Sequence, residues 1–494
     1  MKKYLPSVYR ILTAVCVFVS VVLAFYMISQ RFAHLTNGLQ YDELYSAATA
    51  NPFLSFSFIW KDMLLKDVNL PLFNILLYGW NHIVPFNHIW MHVFSALLGT
   101  AAVFCAWFCA PKTWPLLKRC IYFTLIAGSF VLTAYCAIIR SYSLFVLMTV
   151  IFTLLGLRLI DAFSRQEKPS RWLWLGFFTA GLLGAYSHFF CSGVFFITAL
   201  VVFLYACYYK IGRGWAFWGT AVVFALWMVW VVQTLFFLKS TGGAWWFDTP
   251  TPKASWEILM FLFGNLNMWC FTIPIVILAS VSLFTTYKLK LFKNPSFILP
   301  VAQIVLLCMV IAVVSLKFSL WLDRYFLALM PAAMLLFTVY FYHLHERHKL
   351  LLVLWPILLC VWVKYFWTFD YLIAPEYIGV HDAVNYLINE IKTEKVVASL
   401  EGTGYPQAAI KPMFSYYIPK DKKLEIIPLD KESAHLAVGK DRLPVLMPLC
   451  SQIHLINMSL DYGIEEDGKP LWFGMPDVCI LWAHPMPWLE EQKK

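Results

Sequence analysis

For most of its length the chain alternates long apolar runs with short polar connections. The runs fall at 7–29, 70–86, 88–110, 120–139, 142–162, 172–188, 191–209, 214–236, 256–286, 296–316, 324–342 and 349–369. About twenty apolar residues in a helix cross the hydrocarbon core of a bilayer, so the pattern predicts about 11 to 13 crossings. The count depends on how the first loop, 31–69, is treated. If 31–69 and 111–119 lie on opposite sides, 70–86 and 88–110 cannot both be simple spans. Either 70–86 dips back to its own side, or a further short segment crosses within Phe53–Leu65. The first run is too long, and lacks the small-residue cleavage site, for a removed signal peptide. Beyond about residue 370 the pattern changes. Short apolar runs such as Lys395–Leu400 and Val478–Trp482 alternate with turn-like Gly and Pro, which predicts a small mixed α/β domain. The expected organisation is a transmembrane domain over 1–369 and a separate domain over 370–494, large enough to bury its own core.

Composition agrees: 61% hydrophobic and 13% charged residues, with a mean hydropathy of +0.68, exclude a soluble protein. Charge then sets orientation. Lys112/Lys118/Arg119, Arg165/Lys168/Arg171, Lys210/Arg213, Lys288/Lys290/Lys293 and His343–Lys349 recur at every second connection, which places those connections in the cytoplasm. The alternate connections and the tail then face outward from a multi-pass inner (plasma) membrane protein. The tail carries 12 Lys and Arg against 18 Asp and Glu, while residues 1–369 carry 26 against ten. Ten of the twelve cysteines sit in apolar runs as small filler; Cys450 and Cys479 share the tail, where an outward position permits a disulfide. The 22 Trp and 25 Tyr fit aromatic belts at the two interfaces.

With so few acids in the membrane part, the adjacent pair Asp42-Glu43 after the first span stands out, because charge near hydrocarbon is costly unless solvated or paired. A carboxylate beside another, partly desolvated, has a raised pKa, which suits a general base for a hydroxyl. Asp62, Asp67, Asp248 and Glu257 share the outer side and read as solvated loop charges; Asp323 can pair with Arg324 or cap a helix. Asp67 and Asp323 are the reserve candidates for the base. The outer cations are as sparse: Arg140, Lys317 and Arg324 read either as snorkelling anchors or as a phosphate clamp, with Tyr142 and Tyr325 close by in sequence. His188 reads as a hydrogen-bonded packing residue or a ligand. The run His343–His348 lies on the basic inner side and reads as a solvated loop. No metal motif of diagnostic spacing and no phosphate-binding glycine loop appears, so a nucleotide-driven reaction is not expected, and nucleic acid is not expected as a partner. Asp42 and Glu43 could together hold a divalent metal ion, the one cofactor considered.

Five short motifs occur in an order that resembles the membrane-embedded GT-C glycosyltransferases, particularly the group of protein O-mannosyltransferases and lipid A aminoarabinose transferases. They are Tyr41-Asp42-Glu43, Asn69-Leu70-Pro71-Leu72, Arg140-Ser141-Tyr142, Tyr186-Ser187-His188, and Arg324-Tyr325 followed by Leu329-Met330-Pro331. The family commonly has His-Pro-Pro-Leu where Asn69–Leu72 stands, and the tail holds no matching motif. The resemblance covers roughly residues 10–345. It implies a polyprenyl-phosphate sugar as donor, transfer to a hydroxyl of a glycan, lipid or protein acceptor, and inversion at the anomeric carbon. It assigns Asp42, with Glu43, to catalysis, and Arg140, Tyr142, His188, Lys317, Arg324 and Tyr325 to substrate or phosphate. A transporter or flippase of lipid-linked saccharides, and a non-catalytic subunit of the same architecture, are the alternatives.

Overall fold

The computed structural model describes residues 5–33, 35–36, 38–67, 69–240, 253, 291–315, 323–360, 379–400, 405–438 and 442–448, and the strand segments 464–466, 471–473, 478–481 and 483–485. The principal helices of the first half are α1 (Leu5–Gln30), α2 (Tyr41–Thr49), α3 (Leu72–Asn81), α4 (His88–Phe108), α5 (Leu116–Ala127), α6 (Phe130–Cys136), α7 (Tyr142–Ser164), α8 (Arg171–Ala185), α9 (Phe189–Tyr209) and α10 (Arg213–Ser240). They are followed by α11 (Pro295–Ser315), α12 (Met330–Arg347), α13 (Gly379–Tyr386) and α14 (Ile410–Phe414). The chain is a polytopic helical membrane protein. Seven helices among the described residues are long and apolar enough to cross: α1, α4, α7, α9, α10, α11, and α12 with the turn that leads into it from Arg324. The run 256–286, residues 361–369 of the run 349–369, and the 369/370 boundary lie outside the described residues; the described part of the last run ends in a short apolar helix, Leu351–Cys360.

Two compact units share the chain. One comprises 1–34, 95–231 and 245–373; the other comprises 35–94, 232–244 and 374–494. The first is the helical bundle. In it α7 packs on α8 and α9, and α9 packs on α11. Gly181 lets α8 lie close against α9, since a Cβ there would sit 2.1 Å from the Phe195 ring. Gln303 of α11 ties three helices together, its amide donating to Thr153 Oγ1 at 2.9 Å and Thr198 Oγ1 at 2.7 Å. Such bonds between helices are worth about 0.6 kcal/mol in a bilayer and serve to fix register.

Three expectations change here. The run 120–139 is two short helices rather than one span. Ser129 caps α6, its hydroxyl accepting from the Leu132 N–H at 3.2 Å, and Gly128 leaves room for Met27, whose sulfur would lie 2.6 Å from any Cβ. Arg31, assigned by sequence to an outer loop, is 1% exposed. Its guanidinium donates to the carbonyls of Gly99 at 2.9 Å, Ile126 at 3.0 Å and Ala127 at 3.1 Å, a cation on the carbonyl end of α5. His343–Arg347 is not a solvated loop but the last turns of α12. His345 is buried there, sharing a 3.0 Å hydrogen bond with the Tyr9 phenol, while Lys118 is buried over the Trp114 ring at 4.4 Å. Aromatic faces and helix ends absorb these charges.

The second unit contains the region on which the sequence was ambiguous. Helix α3 has ten residues; it rises about 15 Å, half a hydrocarbon core. The segment before it is a chain of single turns, Phe56–Phe58, Ile59–Met63 and Leu64–Lys66, also too short to cross. Neither segment is long enough by itself to span a hydrocarbon core. The tail folds as a small mixed sheet, as expected. Strands β1 (Lys395–Ala398), β2 (Glu425–Pro428) and β3 (Val445–Pro448) precede β4 (Ile464–Glu466), β5 (Leu471–Phe473), β6 (Val478–Leu481) and β7 (Ala483–Pro485). The main sheet has the order β2-β1-β3-β6-β5, parallel at β1 and antiparallel at β6; β4 and β7 pair separately. Its core is Val396, Val397, Leu446, Met447 and Ile480, all fully buried. The Cys450 and Cys479 side chains lie outside the described residues.

Candidate active site

The acid motif opens α2. Gln40 is the N-cap, and Glu43 at the third helical position closes a capping box by accepting from the Gln40 N–H at 2.7 Å. Both acids lie in the first turn, where unpaired N–H groups and the helix dipole favour negative charge. Their side chains part company there. Glu43 is 2% exposed, with its second oxygen 4.0 Å from Nδ1 of His92 in α4. Asp42 is half-buried, and its Oδ1 accepts a 2.8 Å hydrogen bond from the phenol of Tyr405. The sequence suggested two carboxylates acting side by side; in the structure Glu43 braces the helix start while Asp42 presents its carboxylate to a hydroxyl. Tyr405 also stacks on the buried Tyr45, with ring centroids 4.0 Å apart and 14° between planes. The Leu39 N–H, just before the helix, donates to the Tyr417 phenol at 2.7 Å, and burial pushes that phenol up to about 12, so it stays neutral.

The other acids take lesser roles. Asp62 makes an exposed ion pair with Lys66 at 3.0 Å. Asp67 is buried and accepts from both the Asn69 backbone at 2.9 Å and its amide at 2.8 Å, which shapes the turn into α3 with Pro71 as N-cap. Asp248 and Glu257 fall outside the described residues, as does the Asp323 side chain.

The cations gather in the helical unit. Arg140 ends the turn after α6, Ser141 stands at the N-cap position of α7 without a side-chain capping bond, and Tyr142 wedges between Tyr135, 4.8 Å away, and Phe145, 5.8 Å away. His188 is the N-cap of α9, and its Nδ1 accepts from the Phe190 N–H at 3.2 Å. That bond leaves Nε2 to carry the proton of a neutral imidazole. Its ring lies 4.8 Å from Phe145 and 5.0 Å from Tyr325, which sits in the 3-10 turn Asp323–Leu329 before α12. Burial above all, and then the guanidinium charges of Arg140 and Arg324, hold His188 down to about 3. Three connections far apart in sequence therefore bring Arg140, Tyr142, His188, Arg324 and Tyr325 together in one place. Lys317 lies outside the described residues. Two arginines converging on a neutral histidine with phenols beside it form a site for an anion.

Beside this cluster a groove of about 570 Å³ runs between α8 and α10, lined by Phe178, Leu182, Trp215, Trp218, Val222 and Leu226. It is almost wholly apolar. Tyr186, two residues before His188, bridges the same pair of helices by donating to the Leu226 carbonyl at 2.7 Å. Among the described residues no three His, Cys, Asp or Glu side chains converge as metal ligands do.

Tyr405 and His92 are the site residues that sequence reasoning missed. His92 carries a signal, because His88, His92, Ser95 and Gly99 recur at helical spacing in an apolar run. Tyr405, in Gly402–Pro406, carries none.

No family model matches the chain, and no curated protein matches it by sequence. Solved structures do. The crystal structure of ArnT from Cupriavidus metallidurans in the apo state superposes with a TM-score of 0.59, covering 94% of this chain and 97% of that one at 11% identity. The same protein bound to undecaprenyl phosphate superposes with a TM-score of 0.54 over 95% and 97%, again at 11% identity. The chain thus has the fold of ArnT over nearly its whole length.

Proposed function

We propose that this protein is a membrane glycosyltransferase that moves a sugar from a polyprenyl-phosphate carrier to an acceptor hydroxyl on the outer face of the inner membrane, with inversion. The observation that carries this reading is the convergence of Arg140 and Arg324 on neutral His188, within a fold that in ArnT accommodates undecaprenyl phosphate. Asp42 takes the proton of the acceptor hydroxyl. The hydroxyl oxygen attacks the anomeric carbon as the bond to the phosphate oxygen breaks. The leaving polyprenyl phosphate gains a negative charge, and the two arginines, with the Tyr325 phenol, stabilise it where it develops. Preorganised charge of this kind is usually the largest single term in catalysis. The isoprenoid tail takes the apolar groove between α8 and α10. Glu43 holds the helix start that aims Asp42; if a divalent ion takes part, Asp42 and Glu43 are its ligands.

The test is donor binding and turnover in nanodiscs. Arg140→Ala and Arg324→Ala should each weaken binding of undecaprenyl phosphate at least tenfold, a loss of a few kcal/mol being usual when a cation leaves a desolvated anion. Thermal transitions should move little. Wild-type binding and turnover in both variants would reduce the arginines to lipid anchors and remove the proposal. Carrier translocation without sugar transfer would favour the flippase, and binding without either would favour a non-catalytic subunit.

A further inference from the structure

We propose that Tyr405, contributed by the C-terminal segment, is a positioning residue that orients Asp42 and sets its basicity. The inference rests on the reading of Asp42 as the base and extends it to a part of the chain with no motif of its own.

Two independent contacts hold the phenol in place. Its ring is stacked on Tyr45, which is fully buried one turn along the same helix as Asp42, and its hydroxyl donates to Asp42 Oδ1 at 2.8 Å. The stack fixes where the hydroxyl points, and the hydrogen bond fixes the carboxylate. Around them the C-terminal segment grips the whole start of α2. Tyr417 accepts from the Leu39 N–H at 2.7 Å, and α14 packs against α2. Phe86 meets Tyr416 edge-on at 5.7 Å. A hydroxyl that donates to a carboxylate favours its charged form, so Tyr405 keeps the base ready at lower pH than it would otherwise serve. It also narrows the carboxylate's orientations, and a base must hold its geometry within a fraction of an ångström to be effective.

The experiment compares Tyr405→Phe, Tyr405→Ala and Asp42→Asn in full-length protein, with a polyprenyl-phosphate sugar as donor. Phe keeps the stack and loses the hydroxyl. It should leave the thermal transition and the donor KM unchanged, while the acidic limb of the pH–rate profile moves up by about one pH unit. On that limb kcat should fall about tenfold. Ala should reproduce the shifted limb and add a loss of thermal stability. An unmoved pH profile in Tyr405→Phe overturns the proposal, because a purely structural tyrosine would act through the stack alone. A lower acceptor KM with unchanged kcat also overturns it, since the phenol would then merely occupy the acceptor's place. Full turnover by Asp42→Asn removes the underlying reading of Asp42. An inactive Asp42→Asn beside a wild-type Tyr405→Phe removes only the positioning role.

Discussion

Replacing Asp42 by Asn separates chemistry from architecture more cleanly than any other change at this site. The carboxamide is nearly isosteric, and its oxygen can still accept from Tyr405, whose hydroxyl stands 2.8 Å from Oδ1. What it loses structurally is a negative charge in the first turn of a nine-residue helix, worth about 0.3–1 kcal/mol, and the extra strength of a charged acceptor, of similar size. The capping box survives, because Glu43 rather than Asp42 closes it. Expression and the thermal transition should therefore stay close to wild type. Proton acceptance fails outright. General-base assistance contributes about a hundred- to ten-thousand-fold, and at 1.36 kcal/mol per tenfold the smallest of these is about 2.7 kcal/mol of barrier, well above the structural cost. Single-turnover transfer from a preloaded donor, measured beside equilibrium binding of undecaprenyl phosphate, isolates the chemical step. Turnover within about threefold of wild type, far short of the expected hundredfold, would refute the assignment and pass the role to Asp67 or Asp323.

Glu43→Gln should be milder, because Gln also closes a capping box, and activity should persist in EDTA; a loss as severe as that of Asp42→Asn, reversed by added divalent ion, would instead make the pair a metal site. His188 contributes a pH-dependent term to stability: its folded pKa of about 3 lies below the ordinary 6.5, so the unfolded chain binds the extra proton and stability falls as pH drops from about 6.5 toward 3. His188→Asn keeps an N-cap that does not titrate, and scanning calorimetry from pH 7.5 to 5 should show a flatter decline of the thermal transition than in wild type. Gly214→Leu places a side chain where nothing lies within 4 Å of a Cβ, at one end of the apolar groove; KM should rise severalfold for long-chain donors and not for short-chain ones, and an equal rise for both would move the tail elsewhere.

Most of what faces lipid was legible in advance, because a bilayer filters composition residue by residue. The spans at 7–29, 142–162, 191–209, 214–236 and 296–316 correspond to helices within a few residues. Hydropathy sums could not detect the break at Gly128-Ser129, where a single capping serine starts a new helix between apolar residues on either side. The polar residues that meet in the helical unit could be singled out as well: Arg140, His188 and Arg324 are rare polar residues at ends of apolar runs, and rarity there is informative. Contacts that depend on distant chain segments could not be. Nothing near Asp42 announces Tyr405, 363 residues on, and nothing near Arg31 announces the carbonyls of Ile126 and Ala127. In the same way the acidic pair could be seen as a pair, while the division of labour within it depended on Gln40, His92 and a tyrosine from the tail.

The pairing of Leu39 with Tyr417, 378 residues apart, also sets an order of manufacture. At roughly 5–20 residues per second, a ribosome takes roughly 20–75 s to travel from one partner to the other. Throughout that interval the helices of the bundle can already be threading into the bilayer, yet the start of α2 still lacks the residues that seat it. A chain released early would carry the acid motif without its brace. The seat of α2 is thus completed only when the final fifth of the chain has been synthesised, and until then the acid motif stands without the contacts that brace it.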